Sequence, residues 1–283
     1  MEIKWKPDSE ISVTSNNGET VMSANSAGMM TLAGIFKTLA HETTGTHLHL
    51  DSYNGLEEGS DELIIERIAD QDETESDDAM KGFVFLDEYI PDAMFEIRYA
   101  SMFNFIGERI DGYEESVALC TKEAADALKA VSDDIGKLGY RLKIYDAYRP
   151  QRAVDHFVRW AKDPHDIRMK EFFYPELDKN ILIPQGYIAE RSSHSRGSTV
   201  DVTLFDMKEG RDADMGGPFD YFGQRSHPDC RDITEAQFSS RMLLRDVMMR
   251  YGFVPLETEW WHFTLANEPY PDTYFDFPLR RKK

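Results

Sequence analysis

The sequence predicts an α+β protein, an antiparallel sheet flanked by helices, with a small α+β module ahead of it. Three observations lead there. Helical and strand-like periodicities are interleaved along the chain with no βαβ rhythm and no glycine-rich phosphate loop, which favours antiparallel pairing over a doubly wound parallel sheet. Residues 1 to 80 hold 17 acidic against 4 basic side chains while residues 81 to 283 hold 35 against 28, an asymmetry that marks two units. The polar run Asp70-Gln71-Asp72-Glu73-Thr74-Glu75-Ser76-Asp77-Asp78 cannot bury apolar area and reads as a linker, giving a module at 1–78 and a larger domain at 79–283.

In the module, Ile11 and Val13 alternate with polar neighbours as in a strand, and Ala27 to His41 carries Met30, Ile35, Phe36 and Leu39 as a short amphipathic helix. Thr46 to Asp51 and Glu62 to Ile68 read as two strands around a glycine-bearing turn. In the larger domain, Thr121 is placed to cap a helix whose Ala124, Leu128, Val131, Ile135 and Leu138 keep a 3,4 spacing, with Gly139 as its stop. Arg141 to Tyr148 follows as a strand with Leu142 and Ile144 on one face. Pro150 suits the first turn of the next helix, where Ala153, Phe157 and Trp160 share a side. The box Thr234-Glu235-Ala236-Gln237 opens a later helix that points Leu243, Val247 and Tyr251 inward and ends at Gly252.

Composition narrows the function. A chain of 283 residues with 41% hydrophobic content can bury a sizeable core. Its formal charge of -20 argues against nucleic acid and against an anionic membrane surface, and suits a small or zwitterionic substrate. Cys120 and Cys230 imply no disulfide framework, and the absence of any C-x-x-C excludes a thiolate zinc knuckle. With no signal-like or membrane-length apolar run, a cytoplasmic protein is expected.

Two segments carry chemistry: Ser192-Ser193-His194-Ser195-Arg196-Gly197-Ser198-Thr199-Val200-Asp201 and Glu259-Trp260-Trp261-His262. They supply two imidazoles and a carboxylate able to hold one zinc ion, plus a second carboxylate able to move protons; three ligands with an open position define a hydrolytic site. His194 and Asp201 lie seven residues apart, roughly 23 Å in a straight strand, yet donors to one metal each lie about 2 Å from it. The chain must reverse between them, and Ser195-Arg196-Gly197-Ser198 is suitable turn material. Past the turn, Asp201 shares a strand face with Thr199 and Thr203, while Val200, Val202 and Leu204 face the core. Period-2 alternation puts Glu259 and His262 on opposite faces, so both reach one site only if Glu259 starts the strand or sits at a bulge. His262 is then the third ligand and Glu259 the general base.

Together these segments resemble the D-Ala-D-Ala dipeptidases of the vancomycin-resistance type, a family of zinc D,D-peptidases. The resemblance covers about residues 83 to 279 and includes Arg98-Tyr99-Ala100, Asp111-Gly112-Tyr113, Asp146-Ala147-Tyr148-Arg149-Pro150, Phe219-Asp220 and Glu268-Pro269-Tyr270-Pro271. It implies His194, Asp201 and His262 as ligands of one zinc ion, Glu259 as catalytic acid/base, and Arg149 facing the scissile carbonyl oxygen. Arg149 also precedes Pro150, which biases it to extended backbone at a strand-to-helix junction. The resemblance further implies that Asp220 pairs with the free ammonium of a small dipeptide substrate and that Ser192 and Tyr99 lie near it. A D,D- or L,D-carboxypeptidase acting on peptidoglycan stem peptides is the alternative within hydrolases. Gln224 stands where relatives often have an acid, and the first 80 residues or so are an extension. There His47, His49 and Asp51 share a strand face, which reads as a solvated polar face rather than a second metal site, and Gly45 to Asp51 is similar to small immunity-type modules of bacterial toxin systems. A protein partner for residues 1–78 is the resulting expectation.

Overall fold

The computed structural model describes residues 4–16, 19–42, 45–67 and 80–281; the acidic linker expected at Asp70 to Asp78 and the last strand residue expected at Ile68 lie outside them. The chain divides into two units, Met1–Glu75 and Ser76–Lys282.

The first unit is built from two hairpins and a helix. Strands β1 (Ile11–Asn16) and β2 (Glu19–Ala24) pair antiparallel, α1 (Ser26–Leu39) follows from the cap Asn25, and β3 (His47–Leu50) pairs antiparallel with β4 (Leu63–Glu66). Its core joins Ile11, Val13, Leu32, Ile35, Leu39, Leu50 and Leu56. Two apolar residues expected on the buried side of α1 are exposed: Met30 and Phe36. At about 100° per residue, the stripe set by Ile35 and Leu39 continues through Leu32, Thr31 and Gly28, and both Met30 and Phe36 fall well outside it. His49 Nδ1 lies 2.7 Å from Glu62, and His47 and His49 are exposed.

In the second unit, β5 (Phe83–Phe85) leads into the short helix α2 (Leu86–Tyr89), then β6 (Met94–Phe95) and β7 (Leu119–Thr121). Helix α3 (Lys122–Gly136) is capped by Thr121, whose hydroxyl accepts from the Ala124 N–H. Its buried stripe is Ala124, Leu128, Val131 and Ile135, while Leu138 lies past its end and is exposed. Strand β8 (Tyr140–Asp146) ends two residues earlier than the composition suggests, and α4 (Gln151–Lys162) starts directly after Pro150 with Ala153, Phe157 and Trp160 buried. After α5 (Lys170–Phe173) come β9 (Thr199–Asp206), β10 (Arg211–Asp212), α6 (Glu235–Arg250), β11 (Phe253–Leu256) and β12 (Glu259–Leu265). Helix α6 carries the expected capping box between Thr234 and Gln237, and buries Val247 with Leu244 and Met248, Leu243 and Tyr251 being half-buried.

The central sheet runs β11-β12-β9-β8-β6, with β10 paired to β9. Every pair is antiparallel except β6 with β8. Helix α3 packs on β8 and α6 on β11, and the two helices touch each other. Val200, Val202 and Leu204 alternate along β9 and are fully buried, so this face carries the core and the opposite face is left for Asp201. A smaller β5–β7 pair lies apart from the sheet. Among the described residues no helix is long and apolar enough to cross a membrane, and both cysteines are free.

Candidate active site

Between Ser192 and Asp201 the chain reverses as its spacing demands. A 3-10 turn at Ser193–Arg196 opens on Ser192, whose hydroxyl accepts from the His194 N–H, and closes on Gly197 at φ 85°. Gly197 is required twice: that φ disfavours any L side chain, and a Cβ there would sit 2.3 Å from the Phe83 ring. Arg196 fixes the turn from outside through Glu268, with Nε at 3.0 and 2.9 Å from its two oxygens. The chain then enters β9, where Asp201 pairs across to His262 on β12.

Two sheet irregularities bring further groups to the same place. Between β8 and β9 the register slips after Ile144, so Asp146 rather than Tyr145 stands opposite Asp201. Between β11 and β12 it slips at Pro255/Leu256, and Glu259 is the first residue of β12. Glu259 Oε2 therefore reaches within 3.5 Å of His262 Nδ1 despite the odd spacing between them.

His194 Nδ1 lies 2.6 Å from the Ala147 carbonyl oxygen, which can only accept, so that nitrogen holds the ring proton and Nε2 keeps its lone pair. The Nε2 atom of His262 faces the Ser193 hydroxyl at 3.2 Å, leaving its Nδ1 for the site. His194 Nε2, His262 Nδ1 and Asp201 Oδ1 then form a triangle of sides 3.3, 3.2 and 3.2 Å. Each atom is about 1.9 Å from the centre of such a triangle, so a point slightly above it lies at the 2.0–2.1 Å of a zinc–nitrogen bond. Asp201 Oδ1 is buried and has no hydrogen-bond partner. Two imidazole nitrogens and an orphaned carboxylate oxygen are the donor set of a three-ligand zinc centre, and they fit one.

Charge in the site has the same sense. Burial alone would raise the Asp201 carboxyl, but the facing imidazoles of His194 and His262 overrule it and hold the group well below the usual carboxylate range. Burial pushes His194 down, so its ring is neutral as a ligand must be. Burial opposes charge on His262 too, yet Asp201 and Glu259 outweigh it and raise that pKa, the mark of a site that attracts positive charge. For Glu259, burial and then Asp201 raise the carboxyl against the pull of His262 and Arg149. A carboxyl poised above its ordinary range and open to water at one edge is suited to accepting and returning a proton.

Arg149 is held rigidly. Its Nε donates to Asp146 at 2.9 Å, its Nη2 lies 3.4 Å from Asp201 Oδ2, and its guanidinium stacks over Tyr99 and Phe157 at 4.8 and 5.2 Å. Asp146 also accepts from the Tyr113 hydroxyl at 2.6 Å and lies 3.7 Å from His194 Nδ1. Sequence reading passed over Asp146, although it stands three residues before Arg149 in the same motif.

Asp220 is buried with φ 62°, a left-handed backbone unusual for a residue other than glycine. Tyr99 donates to its Oδ1 at 3.1 Å while Oδ2 has no partner. Burial, reinforced by Asp201 and Glu259, lifts its carboxyl well above the ordinary range against the pull of Arg149. The loop around it is fastened to α6 by Arg241, which donates to the carbonyls of Met215, His227 and Arg225 at 2.5, 2.7 and 2.8 Å. Of the eight residues expected from sequence, His194, Asp201, His262, Glu259 and Arg149 converge, Tyr99 donates to Asp220 and lies under the Arg149 guanidinium, and Ser192 caps the turn that carries His194.

Similar proteins are known for both units. Residues 79–280 match the family model described as D-ala-D-ala dipeptidase, and residues 19–68 match one described as Immunity protein 32. The chain is 44% identical over 198 residues to the D-alanyl-D-alanine dipeptidase of Enterococcus faecalis, spanning 70% of this chain and 98% of that one. The enzyme of the same name from Streptomyces coelicolor is 43% identical over 197 residues, with the same shares of each chain. That of Escherichia coli is 36% identical over 178 residues, 62% of this chain and 81% of its own.

Proposed function

Because the chain belongs to the D-Ala-D-Ala dipeptidase family, we propose that its residues 79–283 hydrolyse the peptide bond of D-Ala-D-Ala at a zinc ion held by His194, Asp201 and His262. Bound there, zinc supplies Lewis acidity that polarises a carbonyl and acidifies water. The chain supplies the rest. Glu259 takes the proton from the attacking water and returns it to the leaving amine. The Arg149 guanidinium, pinned by Asp146 and by the rings of Tyr99 and Phe157, stabilises the charge that develops on the scissile carbonyl oxygen, at no cost in reorganisation.

Substrate ends are read by the other groups. The free Oδ2 of Asp220 takes the substrate ammonium, which restores the charge that burial suppresses. Ser192, its hydroxyl oxygen occupied by the His194 N–H, still has a proton to donate towards the dipeptide. Of these observations, the triangle of converging donors with Glu259 at its edge carries the reading. Purified zinc-loaded protein is expected to release D-alanine from D-Ala-D-Ala. No turnover there, with activity on longer stem peptides, would make the chain a carboxypeptidase instead; the buried Asp220 at the amine end argues for the dipeptide.

For the first unit we infer a protein partner of basic character. Residues 19–68 resemble a model described as Immunity protein 32, and the acidic excess of residues 1 to 80 would steer a positively charged surface. Removing residues 1–78 is expected to leave dipeptide hydrolysis unchanged while abolishing capture of that partner; a loss of hydrolysis would assign the unit to catalysis.

A further inference from the structure

The two imidazoles of the site offer opposite nitrogens: His194 presents Nε2 and His262 presents Nδ1 to Asp201 Oδ1, each at 3.2 Å. Their positions explain the difference. His262 stands directly across the ladder from Asp201, so its near nitrogen, bonded to Cγ, already reaches the carboxylate. His194 comes from the 3-10 turn ahead of β9 and reaches it with the far one. A neutral ring can bind a metal only through the nitrogen that lacks the proton. For His194 the main chain settles which one that is, because the Ala147 carbonyl oxygen accepts from Nδ1. For His262 the neighbours pull the wrong way. Its Nδ1 lies 3.2 Å from Asp201 and 3.5 Å from Glu259, two carboxylates able to accept a proton carried there. With the proton on Nδ1 the ring would bond to the acid beside it and be closed to zinc. Among the described residues the hydrogen-bond partner of Nε2 is the Ser193 hydroxyl, at 3.2 Å.

We infer that Ser193 is a positioning residue for the metal centre: by accepting the Nε2 proton it selects the tautomer of His262 that turns a bare Nδ1 towards His194 and Asp201. Its effect on metal binding rests on the zinc reading proposed above; its choice of tautomer does not. One turn then prepares both imidazoles. Ser192 caps it, His194 ligates from it, and Ser193 orients the ligand that β12 brings alongside. A hydroxyl suits this place better than the carboxylate that often backs a metal-bound histidine, because the site already holds Asp146, Asp201 and Glu259 and a fourth acid would add repulsion. Ser193 is half-buried, so its own hydroxyl proton has a route to water.

Two measurements on the full chain test this. Zinc affinity is read by competition with a chromophoric chelator. The His262 tautomer is read by nitrogen NMR of the histidine-labelled, metal-free chain in mildly alkaline solution, its signals identified by their loss in His262→Gln. Ser193→Ala should bind zinc about ten- to a hundredfold more weakly and show more of the Nδ1–H tautomer, while urea unfolding of the metal-free chain stays unchanged. Ser193→Thr keeps the hydroxyl and should restore both affinity and tautomer, which a role confined to packing would not do. Equal zinc affinity in the natural chain and Ser193→Ala, a natural His262 already protonated on Nδ1, or a loss that threonine does not recover overturns the inference. If the natural chain takes up no zinc, the metal reading fails first, and the tautomer still decides whether Ser193 orients the ring.

Discussion

Replacing Gly197 with alanine tests whether the turn between two proposed metal ligands is what builds the site. Gly197 has φ 85°, and its added methyl would meet Phe83 Cε1 and Cζ at 2.3 and 2.4 Å. The left-handed backbone costs an alanine roughly 1–2 kcal/mol. Phe83 cannot swing aside cheaply, because it is packed edge-on against Tyr148, Phe275 and Phe277 at centroid distances of 5.3, 5.2 and 5.0 Å. Overpacking of that kind adds about 1–3 kcal/mol, for a total loss of about 2–5 kcal/mol. His194 sits on the same turn, within a triangle whose sides are 3.2–3.3 Å, so a shift of a few tenths of an ångström also weakens metal binding tenfold or more. Urea unfolding gives the first quantity and competition with a zinc chelator the second. Adding Phe83→Leu should recover the packing part of the loss and leave the backbone part. A loss under about 1 kcal/mol with unchanged zinc affinity would refute the turn argument.

Asp146→Asn keeps size but removes the charge that holds Arg149, and a charge-assisted hydrogen bond is worth about 1.5–3 kcal/mol, so kcat/KM should fall by a factor of ten to a hundred while zinc content stays constant. Asp220→Asn suits the left-handed backbone and so isolates charge: KM for D-Ala-D-Ala should rise strongly and that for a tripeptide little, and equal losses would remove Asp220 from the ammonium site. Arg241→Met strips three carbonyls of their donor and should cost about 3–5 kcal/mol in denaturant unfolding, an effect absent if the Asp220 loop held itself in place. Removing zinc with a chelator should lower the unfolding temperature of the second unit only, since a ligand present at 1,000 times its Kd contributes about 4 kcal/mol to the state that binds it.

How much of this was legible in the sequence depended on whether a residue's position follows from spacing. His194 and Asp201 were readable because the reach of a straight strand and the size of a zinc shell contradict each other unless the chain turns. Arg149 came from the family resemblance, the proline after it adding only an extended backbone at a strand-to-helix junction. Met30 and Phe36 were misplaced because apolar character was counted without fixing the helix phase on Ile35 and Leu39. Asp220 offered no periodic cue, because its orientation depends on a left-handed backbone and on a loop whose Met215, Arg225 and His227 carbonyls are held by Arg241 from an element that follows in the chain.

Asp146 is the instructive miss. Along β8, Leu142 and Ile144 face the core, and unbroken alternation would send Asp146 the same way, where an ionised carboxylate is untenable. The sequence thus held a contradiction of the kind that identified Glu259 and His262, namely a polar residue with the parity of the core. In both strands the resolution is a slip in register, after Ile144 on one side of β9 and at Pro255/Leu256 beyond β12. Each slip delivers one acid to the face that Asp201 already occupies: Asp146 behind Arg149, Glu259 beside His262. A regular sheet offers one face a residue from every second position, and this site needs acids from positions that regularity assigns elsewhere. Deleting Tyr145 removes the extra residue of β8, so Asp146 follows Ile144 directly and still meets Asp201; Arg149 should stay coupled and kcat/KM should fall less than in Asp146→Asn, and an equal fall would show that the bulge itself aims the acid.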